Sequence, residues 1–210
     1  MKRRGMTLAE LTITIALTFL LGMCVFWVIL PSFRIAAEGQ IRTELQQQGE
    51  LAFQQIGADL QTSVPTGVVL IAPTAFQGMI VSTNPLSAST GSSGLPSFDP
   101  RLILWWHDLN KKQLFRRQFQ NGDNPTGISL PFDTTQALQP LNANLISIVS
   151  ATSPRTKSYA LSVETFLVER EVTTGGEVYA LRIVLSKVIP GKKASAVVEL
   201  FRKVMLRNHY

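Results

Sequence analysis

Residues 11–30 read LTITIALTFLLGMCVFWVIL, a run without Asp, Glu, Lys or Arg, and in front of it stands Met1-Lys2-Arg3-Arg4-Gly5-Met6-Thr7-Leu8-Ala9-Glu10. A helix of about 20 residues covers the roughly 30 Å of a hydrocarbon core. The run therefore has the length of one membrane crossing. Lys2, Arg3 and Arg4 precede it without a compensating acid, and the positive-inside bias keeps such an end cytoplasmic and sends the remaining chain across. A cleaved secretory signal has an apolar core of about 7–15 residues followed by a small-x-small site. This run is longer and no such site follows, so the span is expected to stay with the protein.

Glu10 is the unusual residue. It lies just inside the border of the apolar run, and an ionisable group at membrane depth is costly and commonly functional, calling for a cationic partner. A glutamate at headgroup level in a simple signal anchor is the plainer alternative, and Glu10 alone leaves both readings open. Cys24, the single cysteine, follows Leu21-Gly22-Met23 inside the run. A lipidation motif wants a small residue just before the cysteine, and Met23 is not one. No disulfide can form within the chain.

The order Gly5-Met6-Thr7-Leu8-Ala9-Glu10 followed by Leu11-Thr12-Ile13 resembles the class III signal of type IV pilins and pseudopilins. The resemblance implies that a prepilin peptidase cuts between Gly5 and Met6 and methylates the new Met6 amine. It also makes Glu10 the glutamate at the fifth mature position, with Met6 where the family more often has phenylalanine. Glu10 and the Met6 amine lie about one helical turn apart. In a filament the carboxylate is expected to pair with the N-terminal amine of a neighbouring subunit, which eases desolvation of both. The partners implied are the peptidase, other pilins or pseudopilins, and an inner-membrane assembly platform.

The formal charge of +6 over 210 residues suggests nucleic acid at first sight. Lys2, Arg3 and Arg4 supply half of it, so a chain cut after Gly5 would carry +3. Hydrophobic residues make up 45% and charged ones 16%, which fits one folded domain with an apolar appendage better than a disordered chain.

Beyond the span, Pro31 is expected to kink or interrupt the helix. Ile41, Leu45, Gly49, Ala52, Phe53, Ile56 and Leu60 then recur at steps of three and four, predicting an amphipathic helix that ends at Val64-Pro65. Strands are predicted at 68–71, 76–81, 102–107, 113–119, 145–149, 158–171, 179–188 and 196–206. Asp108–Lys112 reads as a hairpin turn, and the last three strands as an antiparallel meander. Residues 82–100, rich in Ser, Gly and Pro, read as an exposed mobile loop. The expected organisation is a leader at 1–5, a transmembrane or filament-core helix at 6–30, an amphipathic helix at 31–64, and a β-rich head at 65–210. The fold class is α+β, a long N-terminal helix packed on an antiparallel sheet. This order is similar to the larger minor pseudopilins of the J class of type II secretion and the W-class minor pilins. Residues 53–60, 104–117 and 204–208 carry that likeness.

Nothing in the head spells catalysis. His107 and His209 are the only histidines and belong to no ligand set, so no metal or cofactor is expected. Gly91-Ser92-Ser93-Gly94 lacks the spacing of a nucleophile elbow. Gly191-Lys192-Lys193 lacks the earlier glycine of a phosphate loop, having Ser186 there. Trp105 and Trp106 are expected to point to opposite faces of one strand and to pack. Arg182, Lys187, Lys192, Lys193, Arg202, Lys203 and Arg207, against the single acid Glu199 from 182 onward, make the C-terminal meander locally basic. DNA contact through Lys192, Lys193, Arg202 and Lys203 is the functional reading of that charge, and a solvated sheet face is the commoner one. A signal-anchored periplasmic binding module is the alternative to a pilin-like structural subunit.

Overall fold

A computed structural model describes residues 7–74, 78–90, 96–99, 101–120, 145, 146, 149, 156–174, 176–191 and 193–206. The chain is α+β. One helix, α1 (Leu8–Gln61), runs for 54 residues, roughly 80 Å at 1.5 Å per residue. The break expected at Pro31 is absent. A proline removes one N–H from the ladder, and the turns on either side hold the helix across it, with the Ser32 hydroxyl donating to the Val28 carbonyl at 2.8 Å.

The two halves of α1 have different surroundings. Every residue of the stripe read from the sequence, from Ile41 to Leu60, is buried, and Asp59 is buried with them. From Thr7 to Ala37 every side chain is exposed. The helix ends at Gln61 rather than Val64: Thr62 caps it, and Pro65 opens a short 3-10 turn to Gly67 that leads into the sheet.

The strands are β1 (Val68–Ile71), β2 (Ile80–Thr83), β3 (Leu86–Thr90), β4 (Pro96–Phe98), β5 (Arg101–Asp108), β6 (Gln113–Gln120), β7 (Lys157–Leu161), β8 (Val163–Thr173), β9 (Gly176–Val188) and β10 (Ser195–Met205). They form a five-stranded sheet in the order β1-β2-β5-β6-β7, a three-stranded sheet β10-β9-β8, and a β3-β4 pair. All described pairings are antiparallel. The β5-β6 hairpin turns where the sequence predicts it, with the Asp108 carboxylate accepting from the Asn110 and Lys111 amides at 3.0 Å. The meander of β8, β9 and β10 is likewise present.

Three further expectations are corrected. The stretch expected as one strand at 158–171 is two, because Ser162 takes a positive φ of 60° and passes the chain from one sheet to the other. Leu145, Ile146 and Val149 are helical, not extended; a short apolar run fits either state, and periodicity alone does not decide it. The exposed loop expected at 82–100 instead begins inside β2, contains β3 and β4, and is buried from Ser82 to Pro85. The chain just after α1 satisfies backbone groups of Asn84 and Leu86, while the Thr83 hydroxyl is buried without a partner among the described residues. Asn84 N–H donates to the Gly67 carbonyl at 2.9 Å, Leu86 N–H to the Thr62 carbonyl at 2.8 Å, and the Ser63 hydroxyl to the Asn84 carbonyl at 2.5 Å.

Trp105 and Trp106 mark two cores on opposite faces of β5. Trp105 belongs to the larger cluster, with Phe53 of α1, Phe166 of β8 and Leu181 of β9. Trp106 belongs to the smaller one, with Ile80, Leu102, Leu104, Phe119 and Leu145. Strand alternation thus buries both indoles.

Candidate functional site

The exposed half of α1 begins with a reciprocal cap. Thr7 is the N-cap: its side-chain oxygen accepts from the Glu10 N–H at 3.3 Å, and the Glu10 carboxylate accepts from the Thr7 N–H at 2.8 Å and from the Thr7 hydroxyl at 3.0 Å. This satisfies amides that a helix start leaves open, and it sets an acid at the positive end of the helix dipole. The family resemblance assigns Glu10 to assembly alone; the Thr-x-x-Glu spacing is the sequence signal for its second role as a cap. Gly5, Met6, Lys2, Arg3 and Arg4 lie outside the described residues.

Glu10 opens a stripe. Thr14, Thr18 and Gly22 follow at steps of four on the same face. The Thr14 hydroxyl donates to the Glu10 carbonyl at 2.7 Å, and the Thr18 hydroxyl to the Thr14 carbonyl at 2.8 Å. Hydroxyls bonded back to their own helix carry no unmet demand into an apolar medium. Thr14, Thr18 and Gly22 line a shallow groove with Ile15, Phe19, Met23 and Phe26, and small residues on one face let a second helix approach closely. Leu8–Gln61 contains a segment long and apolar enough to cross a membrane, and none of that segment is buried in the protein. Cys24 lies exposed within it.

The head meets the helix through a buried polar clamp that sequence reasoning missed. The Asp59 carboxylate accepts from Arg116 Nε at 2.8 Å, Arg116 Nη2 at 3.0 Å, the Trp105 indole N–H at 2.7 Å and the Gln55 amide at 3.2 Å. The bond to Asp59 raises the Arg116 pKa further above its ordinary value. An acid inside an apolar helical stripe was the available signal; its partners 46 and 57 residues away were not readable from spacing. Asp59 belongs to the 53–60 stretch, Trp105 and Arg116 to 104–117, and Val204, against which a side chain at Gly57 would rest at 3.6 Å, to 204–208. Described residues of these three stretches therefore meet in one core.

His107 is buried, with Nε2 2.9 Å from the Val163 carbonyl. Burial lowers its pKa, opposed by the Val163 bond and by Asp108 and Glu164. Among the described residues no group of His, Cys, Asp and Glu is arranged to hold a metal. Of the basic residues in the meander, Arg182 pairs with Glu199 at 2.7 Å, Lys187 with Glu44 of α1 at 2.8 Å, and Lys203 with Glu171 of β8 at 2.6 Å. Arg202 and Lys193 are exposed, and Lys192 lies outside the described residues. Two of the three acids that answer this charge come from elements other than β9 and β10, so a count along the local sequence did not find them.

Comparison with protein-family models, curated proteins and solved structures finds no match.

Proposed function

We propose that the chain is a minor pilin or pseudopilin: a structural subunit, not an enzyme, that waits in the cytoplasmic membrane and joins a filament through its N-terminal helix. The observation that carries this reading is Glu10, an acid at the head of an exposed apolar helix, five residues after Gly5 and behind Lys2-Arg3-Arg4. The Thr7 cap would serve a simple tether as well, so what favours assembly is the position of Glu10 five residues after Gly5 and directly before an uncharged span. The stripe of Thr14, Thr18 and Gly22 supports lateral packing of the same face against neighbouring helices. The filament is that of a type IV pilus, a DNA-uptake apparatus or a type II secretion system, with the head on the far side of the membrane.

In this mechanism a prepilin peptidase cuts between Gly5 and Met6 and methylates the new amine. An inner-membrane platform then moves the subunit out of the bilayer. During that movement the Glu10 carboxylate exchanges its Thr7 contacts for the N-terminal amine of a neighbour, so that neither charge stays unpaired in an apolar bundle.

Co-expression with a prepilin peptidase tests the reading directly. N-terminal sequencing is expected to give Met6, N-methylated; an intact Met1 end overturns it. Glu10→Ala is expected to insert in the membrane at parental levels and to be lost from filaments. If the Ala variant works as well as its parent, the chain is a signal-anchored binding module instead.

A further inference from the structure

The three-stranded sheet ends on β10, and among the described residues β10 pairs with β9 alone. Two bonds fix the phase of that ladder at its ends: Leu206 N–H to the Glu177 carbonyl at 3.4 Å, and Ile189 N–H to the Ala194 carbonyl at 3.2 Å. The register between them has no bulge. The even-numbered residues of β10 therefore exchange bonds with β9, and the odd-numbered ones direct N–H and C=O to the open edge. Those odd-numbered residues, Val197, Glu199, Phe201, Lys203 and Met205, also share the sheet face opposite the helix. Val197 is 54% exposed, Phe201 62% and Met205 57%, so none of the described residues covers the row. A long edge with apolar side chains is a template for another strand, and the charges decide which strand fits.

Outward from Phe201 the row reads the same in both directions except that acid is exchanged for base. Glu199 stands two residues before and Lys203 two after; Val197 stands four before and Met205 four after. A second β10 laid antiparallel about a two-fold axis at Phe201 sets Phe201 against Phe201, Glu199 against Lys203 twice, and Val197 against Met205 twice. An axis at Glu199 or Lys203 sets a charge against itself. One at Leu200 or Arg202 sets a charge against Phe201. Cross-strand pairs favour the first register and penalise the others. Within the chain Glu199 already pairs with Arg182, and Lys203 with Glu171, so in the Phe201 register charges alternate in sign across the seam.

The direction of the pairing restricts where it can occur. Gly49 lies against Leu200 and Gly57 against Val204, so α1 and β10 run the same way. A two-fold axis at Phe201 turns the two helices antiparallel. Copies anchored in one membrane share an orientation and cannot meet so. We propose that the β10 edge is a homophilic docking site through which the head binds a second copy of this chain presented from a facing membrane or filament.

The full chain in detergent micelles, followed by sedimentation, and in proteoliposomes, followed by light scattering, tests this. The parent is expected to dimerise and to cluster vesicles. Glu199→Lys alone and Lys203→Glu alone each oppose like charges twice, and each is expected to weaken self-association by about tenfold. An equal mixture of the two variants sets the two bases of one chain against the two acids of the other, and is expected to restore dimers and clustering. A monomeric parent overturns the proposal. So do single variants that associate like the parent, which would place the contact in the apolar helices. A mixture that fails to recover, when both variants keep the parental circular dichroism and melting, overturns it as well.

Discussion

Asp59 and Tyr179 are both buried residues with a polar group, and they are expected to respond to mutation in opposite ways. Asp59 is matched by the Arg116 fork and the Trp105 indole. Asp59→Ala leaves a partly buried guanidinium without its counter-charge, which costs at most the roughly 3–5 kcal/mol of a fully buried pair. The Tyr179 hydroxyl is buried beside the Glu177 carboxylate without a hydrogen bond of good geometry to it, and burial, with Glu177 adding to it, pushes its pKa up to about 12. Tyr179→Phe removes an unmet polar demand of about 1–3 kcal/mol and is expected to be neutral or stabilising. Urea unfolding of the two variants beside the parent checks both. His107 sets a pH dependence. Its folded pKa lies below the ordinary 6.5, so the unfolded chain takes up a proton first as pH falls. Stability is full above about 6.5 and declines as pH drops through that value, until the lowered folded pKa is passed. His107→Gln is expected to flatten this slope, read as urea midpoints between about pH 7 and 5. Among single residues, Trp105 and Trp106 were legible in the sequence because alternation is a local rule. The Asp59 clamp was not, since it depends on which strands the helix end meets.

At the scale of elements, the stripe from Ile41 to Leu60 was legible because helical period and burial coincide there. The β5-β6 hairpin and the final meander were legible because turn residues separate β-prone runs. Residues 82–100 were not. Their composition reads as solvent-exposed, yet Ser82, Thr83 and Asn84 are buried against the end of α1. Close approach between elements makes two glycines diverge. A Cβ at Gly57 would rest 3.6 Å from the Val204 methyl, ordinary contact, so Gly57→Ala is expected to gain about 0.5–1 kcal/mol of helix propensity. A Cβ at Gly78 would collide with the His107 carbonyl oxygen, and backbone does not yield. Gly78→Ala is expected to lower the melting temperature, by several degrees for a cost of about 1–3 kcal/mol.

Across the whole molecule the α+β layout was readable, and the division of the head into two sheets was not, since it turns on the backbone of Ser162. Side chains from Thr7 to Ala37 are exposed and the buried stripe starts at Ile41, so the head's stability does not draw on the apolar run. A chain beginning at Ala36 is expected to be soluble without detergent and to unfold at the same urea midpoint as the full chain. A midpoint shifted by more than about 1 kcal/mol of stability would mean that the exposed half contributes to the head after all.

The continuity of α1 through Pro31 carries a further consequence for position. If Leu11–Leu30 fills the bilayer, residues 31–40 form a rigid spacer before the first buried contact at Ile41, about 15 Å at 1.5 Å per residue. About 5–8 Å of that length crosses the headgroup layer, so the head stands off from the membrane surface by roughly the width of one helix, leaving clearance beneath it in which another helix can reach the base of the rod.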